Sequence, residues 1–252
     1  MVGPGSSERQ KEIARLLADN PRTSVARLGK VLGVSTVTIR SDLNEMAGSG
    51  VLIRTRGGAL PAFHPSILER QKRHVEEKVR IARAAAAMIQ DGDEVMIVAG
   101  TTTASIPRFL LGKRDVKIVT NSTLMMPYVR VNPNLQLTMV GGEFRPAAEA
   151  LVGPNTLGDL SQFHVSKAFL GTDGFTLEKG ITADSVEIAE VVRKMAEQAR
   201  ELILLADASK LGRAGFAHIM EAERINVLIT DASIDRQQAV RFEERGIRVV
   251  AV

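Results

Sequence analysis

The 252 residues include no cysteine, no tryptophan and a single tyrosine. Without cysteine, disulfide staples, thiolate metal sites and thiol catalysis are excluded. No apolar run approaches the roughly 18–20 residues that a membrane-spanning helix needs. Residues 1–7 are rich in Gly, Ser and Pro, lack the apolar segment of a secretory signal, and read as a disordered tail. A cytoplasmic protein is therefore expected. The four histidines (His64, His74, His164, His218) are too scattered to form a ligand set, and neither a nucleophile triad nor a Walker-type phosphate loop is present. No metal, cofactor or catalytic residue is expected. What remains is a chain 44% hydrophobic and 25% charged, enough to bury an ordinary globular core.

The net charge of +4 becomes informative when it is located. Residues 1–60 carry nine Lys and Arg against five Asp and Glu, whereas residues 61–252 carry 24 of each. A small basic segment joined to a neutral one suggests a domain that faces a polyanion.

In that basic segment the apolar spacing predicts three helices. The first covers 8–19, with Ile13, Leu16 and Leu17 on one face, and Asn20-Pro21 stops it. Ser24 caps a second helix bearing Val25, Leu28, Val31 and Leu32. Gly33-Val34 makes a tight turn, and Ser35 caps a third helix with Val37, Ile39, Leu43 and Met46 inward. Two short strands follow, around Val51–Ile53 and Gly57–Leu60, with Arg54, Thr55 and Arg56 at the tip. Three helices with a tight turn before the third are helix-turn-helix geometry. The outer face of the third helix offers Ser35, Thr36, Thr38, Arg40 and Ser41, short hydrogen bonders and one guanidinium that suit a major groove. Arg54 and Arg56 would clamp the backbone or the minor groove beside it. The candidate DNA-contacting set is Ser24, Ser35, Thr36, Thr38, Ile39, Arg40, Ser41, Arg54 and Arg56. The domain is placed at 8–60 (helix-turn-helix about 24–43), with a linker at 61–66.

Residues 67–252 are expected to form a second, α/β domain. A long helix is predicted over 66–90. Seven short apolar runs then alternate with helical stretches: 94–98, 116–120, 135–140, 167–170, 202–206, 227–230 and 247–252. Near-continuous apolar strands separated by helices indicate a buried, mostly parallel sheet. Small polar residues follow several strands: Gly100, Thr101, Thr102 and Thr103; Asn121 and Ser122; Gly171, Thr172 and Asp173; and a loop ending in Lys210. In a parallel sheet such loops gather along one edge, where ligands bind. The hydroxyl run Thr101–Thr103 after a glycine turn suits an anion such as phosphate.

Two ordered sets of residues also resemble a known family. Leu32-Gly33-Val34-Ser35, Thr38-Ile39-Arg40-Ser41-Asp42-Leu43 and Arg54-Thr55-Arg56-Gly57-Gly58-Ala59 resemble the N-terminal domain of the DeoR family of bacterial sugar-metabolism regulators. The remainder resembles that family's sensor domain. The matching residues are Arg70 with Glu77-Lys78, Gly100-Thr101-Thr102, Thr120-Asn121-Ser122, Gly141-Gly142-Glu143, Phe169–Gly174, Gly180-Ile181-Thr182 and Asp207-Ala208-Ser209-Lys210. The resemblance implies a winged helix-turn-helix followed by a domain similar in fold to ribose-5-phosphate isomerase. It implies a repressor of a carbohydrate operon, dimeric or tetrameric, that leaves double-stranded operator DNA when a phosphorylated sugar or sugar alcohol binds. By the same resemblance Thr101–Thr103 cradle the phosphate, Asn121 and Asp173 bond sugar hydroxyls, and Lys210 binds the sugar end or adds positive charge. Two positions depart from the family pattern: Ser41 stands where a second arginine is usual, and Val98 where an aspartate is frequent. A sugar-phosphate isomerase with an accessory DNA-binding domain is the rival reading, but Glu143, beside the glycine pair, has no evident place as its general base. A purely architectural DNA-binding module that senses nothing is a second rival; thermal stabilisation by a sugar phosphate would argue against it.

Overall fold

The computed structural model describes residues 6–252, which divide into two compact units, up to Lys72 and from Arg73. Of the expected tail, residues 1–5 lie outside the described residues, whereas 6 and 7 already belong to the first helix.

The first unit contains α1 (Ser6–Asp19), α2 (Val25–Leu32), α3 (Thr36–Gly48), the antiparallel pair β1 (Leu52–Thr55) and β2 (Gly58–Pro61), and α4 (Pro65–Lys72). Its core joins Ile13 and Leu17 of α1, Val25 and Leu28 of α2, Ile39, Leu43 and Met46 of α3, and Leu52 and Ala59 of the strands. Two expected inward positions are instead exposed: Val31, at 54%, and Val37, at 71%. Ile67 of α4 is fully buried. Residues 67–72, expected in the second domain, group with the first unit.

The second unit runs α5 (Val75–Ala87), β3 (Glu94–Ile97), β4 (Val116–Thr120), α6 (Met126–Val129), β5 (Leu135–Met139), β6 (Glu143–Arg145), β7 (Ala150–Val152), α7 (Pro154–Leu160) and β8 (Val165–Gly171). It continues with β9 (Gly174–Thr176), β10 (Gly180–Ala183), α8 (Val186–Glu197), β11 (Ala199–Leu205), β12 (Ala217–Met220), β13 (Val227–Thr230), α9 (Arg236–Glu243) and β14 (Arg248–Ala251). The helix expected over 66–90 is two helices, because His74 takes a left-handed backbone conformation (φ 52°) between α4 and α5.

All seven predicted apolar runs become strands of one parallel sheet, ordered β14-β13-β11-β8-β3-β4-β5. The central strands are buried along their length: Val95 to Ile97, Ala168 to Leu170 and Leu202 to Leu205 are nearly solvent-free. That explains their uninterrupted apolar sequence. A hairpin, β6-β7, and a small antiparallel sheet, β12-β10-β9, are additions that the sequence pattern did not predict.

The order of winding matters for function. From β3 the chain builds outward on one side through β4 and β5, then returns to the other side of β3 with β8, β11, β13 and β14. The chain order thus runs away from β3 and β8 in opposite directions, a switch point outside whose carboxyl strand ends open α/β sheets commonly bind ligands.

Candidate functional site

In the first unit, α2 and α3 are set by their caps. Ser24 Oγ accepts from the Arg27 N–H (3.2 Å), and Ser35 Oγ from the Thr38 N–H (3.1 Å). Between the helices Gly33 adopts φ 67°, and the N–H of Val34 donates to the Gly29 carbonyl (3.0 Å). Gly29 lets that turn close: a Cβ there would lie 2.9 Å from the Val34 carbonyl oxygen. Asp42, buried on α3, accepts two hydrogen bonds from Arg9 of α1 (2.6 and 3.0 Å), fixing the third helix against the first. The turn of the β1-β2 hairpin docks on α2, where the Val25 N–H donates to the Gly57 carbonyl (3.4 Å).

These supports leave one polar face. Thr36, Arg40 and Ser41 are exposed on α3, Thr38 is partly covered with its hydroxyl 2.9 Å from Ser35 Oγ, and Ser24 and Ser35 stand at the helix starts. Among the described residues no ion pair engages Arg40 or Arg56. Arg54 lies within β1 and donates to the Gly58 carbonyl (2.7 Å), so it braces the hairpin that Arg56 terminates. Ile39 is corrected. With its side chain wholly in the core it offers nothing to a partner molecule.

In the second unit, the loops after β11, β8, β3 and β4, four adjacent strands, bring most of the expected effector residues to one edge. After β3, Thr101 and Thr102 are partly exposed, and their hydroxyls have no protein partner among the described residues. The backbone N–H groups of Gly100, Thr101 and Thr102 likewise lack an acceptor there. Thr103 differs. It is buried, and its hydroxyl donates to the Gly100 carbonyl (3.2 Å), closing the loop rather than lining it. Instead of a full helix, a 3-10 helix follows, Thr103–Phe109.

Asn121 is also buried: its Oδ1 accepts the Ala99 N–H (2.8 Å) and its Nδ2 donates to the Leu151 carbonyl (3.0 Å). It ties the β3 and β4 loops to β7. Ser122 is fully buried with a hydroxyl that has no partner among the described residues. After β8, Thr172 Oγ1 lies within bonding distance of the carbonyls of Gly174 (2.7 Å) and Thr182 (2.8 Å), and a Cβ on Gly171 would meet the Val98 and Thr103 side chains at ordinary contact distance. Asp173 accepts from the Asp184 N–H (3.0 Å) and faces Lys210 at 4.0 Å, joining the β8 and β11 loops.

The Lys210 loop is itself held by two buried aspartates. Asp207 accepts from the Ser209 N–H and hydroxyl, and Asp231, after β13, accepts the Ala208 N–H (2.7 Å). Burial pushes the Asp231 carboxyl up, but the Ser233 hydroxyl and the N–H groups of Ala208 and Ser233 outweigh it and hold the group below its usual value. Sequence reading missed Asp207 and Asp231 as loop supports, although an aspartate just after a buried strand is a recurrent turn former.

Residues 9–62 match the DeoR-like helix-turn-helix domain, and residues 73–232 match the DeoR C terminal sensor domain. The chain belongs to the DeoR family. It is a DNA-binding transcriptional regulator, and similar proteins align along nearly its whole length. The transcriptional repressor GlcR of Bacillus subtilis strain 168 is 36% identical over 96% of this chain and 95% of its own. The regulator GlpR of Haloferax volcanii is 32% identical over 97% of each. The glycerol-3-phosphate regulon repressor of Escherichia coli K12 is 30% identical over 90% of this chain and 91% of its own.

Among solved structures, the full-length sorbitol operon regulator SorC of Klebsiella pneumoniae overlays 95% of this DeoR-family chain and 99% of its own at 12% identity, with a TM-score of 0.40. Ribose 5-phosphate isomerase of Methanocaldococcus jannaschii overlays 53% of each chain at 20% identity, with a TM-score of 0.38. Among the described residues no helix is long and apolar enough to cross a membrane.

Proposed function

We propose that this regulator is a repressor of a carbohydrate operon, released from its operator by a phosphorylated sugar or sugar alcohol. In this reading residues 8–60 are the DNA-binding domain and the second unit is the sensor. Arg40, with Thr36, Ser41 and Thr38, addresses base edges; Arg56 and the helix starts at Ser24 and Ser35 address phosphates. Arg54 serves indirectly, by holding the wing. A homodimer or homotetramer in the cytoplasm presents two such heads to paired half-sites.

One observation carries the effector assignment. At the switch point between β3 and β8, three consecutive N–H groups and two hydroxyls have no protein acceptor among the described residues. Partly open to solvent, these donors remain available to a ligand, and a phosphate has enough oxygens to accept from them together. Lys210 adds a cation next to Asp173, whose carboxylate suits a sugar hydroxyl. Asn121, Thr103 and Thr172 act by shaping these loops. The glycerol-3-phosphate regulon repressor among the relatives supports a phosphorylated polyol as the ligand class.

Thermal unfolding in the presence of a panel of sugar phosphates and their free sugars tests this. A phosphate ester should raise the midpoint while the free sugar does nothing at millimolar concentration, and Thr102→Val should weaken the response without unfolding the domain. Lys210→Ala should retain operator binding in a gel-shift titration yet no longer release on addition of that ester. Equal stabilisation by free sugar and ester would overturn the phosphate cradle.

A further inference from the structure

Val37 contributes nothing to the fold that would explain it. It stands in the first turn of α3 at 71% exposure, while Ile39, Leu43 and Met46 complete the core from the other side of the helix. A β-branched residue gains nothing at an exposed helical position, because its rotamer freedom is restricted there and its propensity is below that of Ala, Lys or Glu. Arg40 and Ser41, three and four positions on, share its face, and Thr36 adjoins it; all three are exposed. The face therefore offers an isopropyl group beside an unpaired guanidinium and two hydroxyls. In a major groove the one apolar group on a base edge is the C5-methyl of thymine.

We infer that Val37 reads a thymine, packing its isopropyl group on the C5-methyl of one base per half-site, next to the base that Arg40 addresses. The inference rests on α3 being the helix that enters the major groove. A second copy of the chain is the poorer occupant of this face, since a symmetric contact would bring two Arg40 cations together.

The experiment uses the full chain and a duplex that the protein itself enriches from a random pool. Each thymine of that duplex is replaced in turn by deoxyuridine, which removes only the methyl group. One position per half-site should weaken wild-type binding about three- to fivefold, the effect of about one buried methyl-sized group. Val37→Ala should lose a similar factor on the thymine duplex and be indifferent to deoxyuridine at that position. Its unfolding midpoint should match or slightly exceed that of wild type, since alanine is the better helix former, and the salt slope of binding should be unchanged, because no ion pair is involved. Deoxyuridine sensitivity that persists in Val37→Ala, or is absent from wild type, would overturn the inference. So would a changed oligomeric state of Val37→Ala with its base preference intact. Failure to enrich any duplex would instead defeat the DNA-binding role of α3, a result separable from the other two.

Discussion

Arg40 and Arg56 are both exposed cations, but they stand on different kinds of backbone, and that difference sets what each can do. Arg40 is held on a helix locked by the Arg9–Asp42 pair, so its guanidinium meets DNA at a fixed register. Arg56 sits at the turn of a two-strand hairpin, where it can follow phosphates but not read sequence. Arg40→Ala should cost about 1–3 kcal/mol on the cognate duplex and little on random DNA. Arg56→Ala should weaken both and lower the salt slope by about one. Titrations on both duplexes at several salt concentrations separate the two roles, and identical profiles would refute the division. Ile39→Ala should also abolish binding, but through unfolding, with a stability loss of about 2–5 kcal/mol in urea titration of the full chain. The sequence held the information needed to place it. Successive helix positions turn by about 100°, so Val37 and Ile39 lie about 200° apart and cannot both face one core. Spacing from Leu43 and Met46 selects Ile39. Hydrophobicity alone had selected both.

Among the elements, the helix-turn-helix was legible because each of its boundaries is written in a local residue: Ser24, Gly33 and Ser35 all cap as their types suggest. Gly29 was not legible, since nothing in a helical sequence announces that the Val34 carbonyl of the following turn will fold back onto it. Gly29→Ala should force that carbonyl away and destabilise the first unit by about 1–3 kcal/mol. Gly33→Ala should cost about 1–2 kcal/mol through its positive φ alone, with open space around the new Cβ. Urea titrations should rank both as destabilising, and an unaffected Gly29→Ala would show that the turn is looser than its geometry. In the second unit the parallel strands were legible because burial on both faces leaves an unbroken apolar run. The strands β6, β7 and β9, three residues each, are too short for any alternation to register. The break at His74 has no signal either, because a left-handed histidine carries none of the marks of a glycine or proline. In the candidate site the loops were legible as a group. Which hydroxyls remain free was not: Thr101 and Thr103 read alike until the fold buries one of them.

At the scale of the whole molecule, buried aspartates tie stability to pH. Asp231 has its carboxyl held below the usual value in the folded chain, so its ionised form favours folding. That contribution is complete above the unfolded value, near pH 4, and is lost as the pH falls through the lower folded value. Asp93 is lowered too: burial opposes ionisation there, but the Gln90 N–H and Lys167 at 2.7 Å outweigh it. Unfolding midpoints should therefore decline below about pH 4. Asp231→Asn should begin lower and decline less steeply, and a parallel decline would place the acid sensitivity elsewhere.

The winding of the sheet has a further consequence during synthesis. Val95 of β3 pairs with Lys167 of β8, 72 residues later. At roughly 5–20 residues per second, β3 waits several seconds or more for its second neighbour. During that interval β3, β4 and β5 form at most a three-stranded half-sheet, and the bare edge of β3 bears Val95, Met96 and Ile97. Such an apolar edge is a template for pairing with another chain. Ribosome-bound chains stalled so that residues up to about 150 have emerged should then bind a holdase chaperone strongly. Extending the emerged segment past Leu205 should release it, because β8 and β11 by then cover the edge. Equal chaperone binding at both lengths would mean that the half-sheet does not form until its partner strands arrive.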